Sequence, residues 1–423
     1  MSVEVAVGPV KGVNVTKAGE KLDDSVFEVS WLIDTLTKND PKFKETVGNN
    51  QIQKVWAKNI SGGKGFVSKV YECVIEFDSP EPDYEVILKV PGMDAINKAL
   101  GEGEENVFES GELFANLHNN ERAFYDQYAK HVSFPTPKIY ATGEWVINKV
   151  QGFILMESMI GRGANACMYG GLSKTQLFVV AKQIAHFQHS FLTTEDRTWM
   201  KRFDLEEKFE DQGIVEFTIP MFDKLIEMKP DIFKKKIKPF YEASKNCKFQ
   251  LYCMIKAAKE LGIPSVLAHG DLWSNNIMWK LDMDGNITNE IAAIIDYQII
   301  HTGSITTDLA RILVCCTDAD VRRMITYDVL AFYYKCLKEF FHENGKEVPF
   351  SFEQVKASYR ISQLGQTADL LWMVPLFLND QDLSTEQEKI QEARKEKLYL
   401  RASLALDEAL QILQTIPKEK ISD

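Results

Sequence analysis

The run His269-Gly270-Asp271-Leu272-Trp273-Ser274-Asn275-Asn276 constrains this chain more than any other stretch. It lies between two apolar, strand-like runs, residues 266–269 and 276–280, in a half of the chain whose spacing is otherwise helical. A short loop between two apolar strands therefore carries Asp271 and Asn276, five residues apart. A third apolar run, 291–296, closes on Ile294-Ile295-Asp296-Tyr297-Gln298.

These residue types at this spacing suit phosphoryl transfer. A hydroxyl nucleophile must be oriented and relieved of its proton, which a carboxylate can do, and a second oxygen-bearing side chain must help hold the metal that bridges the phosphates. Asp271 is the predicted base. Asn276 and Asp296 are the predicted magnesium ligands, because hard Mg2+ takes one or two carboxylates together with phosphate oxygens and water. Protein kinases place His-Arg-Asp at the same distance from an Asn; here Gly270 stands at the Arg position and Tyr297-Gln298 replaces Phe-Gly. A lone His-x-Asp is common by chance, and an Asp closing a strand is often a turn residue. The spaced Asn, the flanking strands and the downstream Asp together carry the expectation.

The first half of the chain has a different character. Residues 1–25 are polar and rich in Gly and Lys, which predicts a flexible entry, and residues 27–36 form an amphipathic helix through Val29, Ile33 and Leu36. Strand patterns follow at 52–59, 65–77 and 84–90, then helical spacing over 106–130, then strands at 138–146 and 152–159. Ser61-Gly62-Gly63-Lys64-Gly65 is a glycine-rich hairpin in which Gly63 and Gly65 let backbone amides approach phosphates. A plain hairpin is equally consistent with it, and it is not a Walker A loop. Lys89 on an apolar strand needs a partner, because burying an ammonium alone is costly. Glu121 on the following helix is preferred to Glu112, and the pair is predicted to hold the α- and β-phosphates. In Leu155-Met156-Glu157-Ser158-Met159, the backbone of Glu157 and Met159 is predicted to meet an adenine edge, with Met156 behind it.

Beyond residue 159 most of the chain has helical spacing. Ser173 and Gln176 form a capping box ahead of the stripe Leu177, Val180, Ala181, Ile184 and Phe191. Further helices fit residues 219–228, 239–261, 318–342, 352–376 and 383–416. The predicted division is 1–25 flexible segment, 26–158 nucleotide-binding part and 159–423 catalytic and substrate-binding part. Asp308 opens an apolar helix, where an N-cap is the favoured role and bracing of the 269–276 loop the second. Trp273, Trp372, Phe377 and Tyr297 are candidates for lining an acceptor pocket, although aromatics at helical spacing are more often core.

Composition sets the outer limits. With 423 residues, 45% hydrophobic and 26% charged, the chain is an ordinary globular sequence long enough for two domains. A net charge of −12 argues against a nucleic-acid binder, which shows a basic footprint. Seven cysteines without framework spacing point to a reducing, cytoplasmic setting. No apolar run approaches the roughly 20 residues of a membrane span.

The segments HGDLWSNN, IIDYQ, TTDLA and NNERAFYDQY together resemble the ecdysteroid-kinase-like (CHK kinase-like) family, which groups with choline kinases and aminoglycoside phosphotransferases. The resemblance runs over residues 50–400 or so. It implies an α+β, two-lobed protein kinase-like fold: an N-terminal five-stranded antiparallel sheet with a helix, and a larger, mainly helical C-terminal lobe. It also implies ATP- and Mg2+-dependent phosphorylation of a hydroxyl on a small molecule, whether steroid-like, choline-like or another alcohol. Asp271 then matches the catalytic base, Asn276 and Asp296 the magnesium ligands, and Lys89 with Glu121 the phosphate-anchoring pair. A protein kinase is the less favoured alternative, since no Ala-Pro-Glu segment follows the short run after Asp296. A pseudokinase or small-molecule binding module predicts loss of Asp271, Asn276, Asp296 or Lys89, and all four are present.

Overall fold

A computed structural model describes residues 13–15, 19–61, 68–80, 82–92, 111–204, 213–378 and 385–421. The chain divides into two compact units, one of residues 1–130, 136–162 and 283–286, the other of residues 131–135, 163–282 and 287–423.

The first unit is built on an antiparallel sheet. Strands β1 (Val13–Val15), β2 (Ile52–Asn59), β3 (Ser68–Phe77), β4 (Tyr84–Pro91), β5 (Ile139–Gly143) and β6 (Phe153–Glu157) lie in the order β1-β2-β3-β4-β6-β5. The five expected strands are present, and β1 adds a sixth at the edge. Alternation along the strands sends Val55, Cys73, Ile75, Val86, Leu88 and Leu155 into one core. Helices α1 (Val29–Asn39) and α2 (Pro41–Asn49) contribute Leu32, Leu36 and Phe43 to it. Leu22 is buried in the same core, so packed structure begins before residue 26. Helix α2 lies in a stretch where no helix is expected. Its signals are nonetheless in the sequence: Asp40 accepts the Phe43 N–H at 3.2 Å, and Pro41 occupies the first turn. Helix α3 (Glu112–Ala123) passes into a π-turn, Phe124–Tyr128, and a 3-10 turn, Ala129–His131. The single helix expected over 106–130 is thus split, its first residues lying outside the described ones. The wider turn buries Phe124, Tyr125 and Tyr128.

The second unit is mainly helical. Helix α4 (Lys174–Thr193) starts with the expected capping box and buries Leu177, Val180, Ala181, Ile184 and Phe191. The other long helices are α5 (Gly213–Met228), α6 (Thr307–Cys315), α7 (Ala319–Glu343), α8 (Phe352–Phe377) and α9 (Thr385–Leu413). Helix α7 packs on α4, and α8 packs on α5, α6 and α9. The single helix expected over 239–261 is broken into short pieces, one of them the π-turn Tyr252–Lys256. Asn246 causes one break by turning its side chain onto the Lys248 N–H at 2.8 Å. Two small antiparallel sheets sit among these helices: β7 (Gly163–Asn165), β9 (Ile277–Leu281) and β10 (Ile287–Ile294) form one, and β8 (Val266–Ala268) with β11 (His301–Gly303) forms the other. Among the described residues no helix is long and apolar enough to cross a membrane.

Candidate active site

The two small sheets bring the motif residues together. Ala268 at the end of β8 pairs with His301 at the start of β11, and Ile277 at the start of β9 pairs with Ile294 at the end of β10. The Ile295 N–H continues the second ladder by donating to the Asn276 carbonyl at 3.0 Å. The segments carrying Asp271, Asn276 and Asp296 are therefore all connections from paired strand ends. A 3-10 turn, Ser274–Asn276, shortens the path between Asp271 and Asn276.

Side-chain bonds fix the loop. Asn276 Nδ2 donates to the Asp271 carbonyl at 2.9 Å and to Asp271 Oδ2 at 3.1 Å. The buried Asp308 carboxylate accepts the backbone N–H of His269 at 2.9 Å and of Gly270 at 3.0 Å. Asp308 is the second residue of α6 and caps nothing with its side chain; the expected N-cap role gives way to bracing the loop. His269 is wholly buried. Its Nδ1 accepts the Asp271 N–H at 3.3 Å and its Nε2 lies 3.1 Å from the Ile295 carbonyl. Burial pushes this imidazole below its ordinary value, against the pull of Asp308 and Asp271. A neutral ring protonated on Nε2 satisfies both bonds.

Two backbone conformations stand out. Gly270 has φ +85°, and a Cβ there would collide with the Ile299 carbonyl oxygen and crowd His301 Nδ1 at 2.9 Å. An arginine cannot occupy that position in this loop. Asp296 has φ +69°, the left-handed region that residues with a Cβ rarely enter. Such strain persists only where surrounding structure enforces it, and it concentrates at functional sites.

In the first unit, Lys89 and Glu121 meet at 2.6 Å and are both buried, so the sequence pairing corresponds to a real ion pair between β4 and α3. Glu112 is exposed at the start of α3. Met156 and Glu157 end β6, with Met156 paired to Ile87 and buried. The Glu157 N–H donates to the Lys138 carbonyl at 2.9 Å, and the Met159 carbonyl accepts the Arg162 N–H at 3.1 Å. Gly63 and Gly65 lie outside the described residues.

Residues 42–408 match the family described as uncharacterized oxidoreductase dhs-27, DUF1679. The chain belongs to this family. The uncharacterized oxidoreductase dhs-27 of Caenorhabditis elegans is 26% identical over 362 residues, covering 82% of this chain, and the chain spans 42% of that relative's length. An uncharacterized kinase-like protein of Caenorhabditis elegans is 25% identical over 315 residues, covering 72% of this chain and 78% of the relative. Among solved structures, the GDP complex of wild-type aminoglycoside 2'-phosphotransferase-IIIa is similar with a TM-score of 0.44 and 15% identity, over 86% of this chain and 97% of that one. The microcompartment-associated aminopropanol kinase is similar with a TM-score of 0.44 and 11% identity, over 92% and 98%.

In this DUF1679 chain one residue not singled out from sequence, Arg311, touches the motif, and two others, Asp369 and Gln366, hold Arg311. Arg311 on α6, 5% exposed, donates Nη2 to Asp271 Oδ1 and Nη1 to Asp369 Oδ2 at 3.0 Å. Gln366 Oε1 lies 3.3 Å from the same Nη1, and the Trp372 indole donates to Asp369 Oδ1 at 3.2 Å. Burial of Arg311 works against its charge, but Asp271 and Asp369 outweigh it and raise its pKa, so it stays a cation. Only α6 spacing links Asp308 with Arg311, and nothing local points to Asp369. Of the four aromatics, Tyr297 is wholly buried against the His269 ring at 4.5 Å and belongs to the core. Trp273 packs on Phe377 with ring centroids 5.1 Å apart and planes tilted by 48°, and Phe377 and Trp372 are half-buried.

The donor set fits a hard cation. With Asn276 Nδ2 turned onto Asp271, its amide oxygen is the atom that remains for a metal, and Asp296 adds a carboxylate. Among the described residues no group of three or more His, Cys, Asp or Glu could hold a metal by itself. Magnesium held by two protein oxygens and completed by phosphate and water suits that arrangement.

Proposed function

We propose that this chain transfers the γ-phosphoryl group of ATP, with Mg2+, to a hydroxyl group of a small molecule. The observation that carries the proposal is the loop geometry: Asp271 is restrained by Asn276, and Asp296, in the left-handed region, directly follows Ile295, whose N–H bonds the Asn276 carbonyl. Asp271 takes the proton of the acceptor hydroxyl, whose oxygen forms a bond to the γ-phosphorus as the bond to the β–γ bridging oxygen breaks and ADP leaves. Asn276 and Asp296 would hold Mg2+, which supplies charge neutralisation at the phosphates when bound. Lys89, set by Glu121, would anchor the α- and β-phosphates. An adenine edge would use the backbone groups of Glu157 and Met159 not spent on Lys138 and Arg162, with Met156 behind.

The kinase-like name of the second relative agrees with this reading. The oxidoreductase name belongs to a relative most of whose length lies outside the match. The sequence resemblance to the ecdysteroid-kinase-like group narrows the acceptor to a steroid-like, choline-like or other alcohol, and Trp273, Phe377 and Trp372 offer apolar surface for it. Seven free thiols suit a cytoplasmic setting.

A Mg–ATP-binding protein without turnover is the second reading, favoured by one observation: both Asp271 oxygens already accept a donor. A carboxylate oxygen has two lone-pair sites, so each can accept again. Incubating the purified chain with Mg–ATP and a library of small alcohols, with a generic protein substrate in parallel, separates the cases. Transfer to an alcohol and not to protein is expected. Binding without transfer favours the second reading, and absence of Mg–ATP binding overturns both.

A further inference from the structure

The proposed chemistry uses Asp271 but gives no reason for a buried guanidinium to be aimed at it. A buried ion pair is weak support for stability, because desolvation offsets most of the attraction. Its retention at this place therefore calls for another cause, and the contacts supply one. Asn276 holds the Asp271 backbone through its carbonyl and the carboxylate through Oδ2 alone. Arg311 Nη2 takes Oδ1, so the carboxylate is gripped at both oxygens. Arg311 is itself anchored from its other nitrogen by Asp369 and Gln366 of α8. A guanidinium is a rigid planar fork, so fixing Nη1 also fixes the direction of Nη2.

We infer that Arg311 is a positioning residue, held by Asp369 and Gln366, that fixes the rotamer in which Asp271 meets the acceptor hydroxyl; the inference rests on the phosphotransfer proposal above. The charge alone is not enough. A lysine would compensate Asp271 but lacks the fork, and a misplacement near 1 Å of a reacting group costs about 100-fold in rate.

The test combines Arg311→Lys and Asp369→Asn with Asp271→Asn. Arg311→Lys is expected to lower kcat by about 10–100-fold while KM for ATP stays within about threefold. Asp369→Asn, which leaves Arg311 and Asp271 in place and guards against a folding defect, is expected to lower kcat by a smaller factor with the same split. In an Asp271→Asn background, Arg311→Lys should change the residual rate by less than about twofold, because it acts through Asp271. Equal losses with and without Asp271, or losses carried by KM, overturn the inference. A crystal structure of Arg311→Lys gives a readout that needs no turnover. Asp271 should leave its contact with Asn276 or occupy more than one rotamer, while the Asp308 bonds to His269 and Gly270 persist; an unmoved Asp271 overturns the inference. Wild-type protein that transfers no phosphate would instead remove the phosphotransfer proposal, and the crystallographic result would still decide the role of Arg311.

Discussion

At the scale of single residues, the loop is specified by atoms that have no freedom left. Gly270 is the clearest case: its left-handed backbone faces the Ile299 carbonyl and the His301 ring. Gly270→Ala is expected to cost about 1–3 kcal/mol of stability and to lower turnover through the displaced loop. Urea denaturation and a rate measurement check it, and a variant of unchanged stability would show that the loop has room. Asp271, Asn276, Asp296, Lys89 and Glu121 stand out in sequence because their spacing and apolar settings carry chemical meaning locally, and the structure joins Asp271 to Asn276 and Lys89 to Glu121. Arg311 and Asp369 were not legible. Their bonds to the loop and to each other span 40 and 58 residues, and an arginine in an apolar helix gives no sign of which carboxylate it will reach.

At the scale of elements, the loop 269–276 is as much a product of α6 as of the strands around it. Asp308 satisfies two consecutive backbone donors, one buried and one half-buried, one on each carboxylate oxygen. Asp308→Ala leaves both without that acceptor, at roughly 1–3 kcal/mol each, whereas Asp308→Asn keeps one oxygen acceptor. Chemical denaturation should therefore rank wild type above Asp308→Asn and Asp308→Asn above Asp308→Ala; equal loss in the two variants contradicts the bracing role. Long elements with several periods of pattern were legible, as α4, α7 and α8 show. Strands β7 and β11, three residues each, carry no period to detect. Helix α2 escaped because its apolar face is essentially Phe43, although Asp40 and Pro41 marked its start.

At the scale of the whole molecule, both units bury histidines in neutral form. His118 in the first unit is 2% exposed, with Nε2 2.8 Å from the Gly143 carbonyl, and burial lowers its pKa to about 4 against the pull of that carbonyl. His269 and His301 in the second unit are lowered by burial as well. The unfolded chain, with histidines near 6.5, binds more protons than the folded one between those values. Stability is therefore full above pH of about 6.5 and falls as the pH drops toward 4, by on the order of 3 kcal/mol for His118. Melting curves across this range should show that fall, and His118→Gln should shallow it; parallel curves for the two proteins contradict the assignment.

The central claim, a phosphotransferase site built on Asp271, is tested most directly by transfer of γ-phosphate from Mg–ATP to the best small-alcohol acceptor, compared between wild type and Asp271→Asn. A fall in kcat of about 10²–10⁴-fold is expected, with Mg–ATP binding retained. Turnover within about twofold of wild type would contradict it.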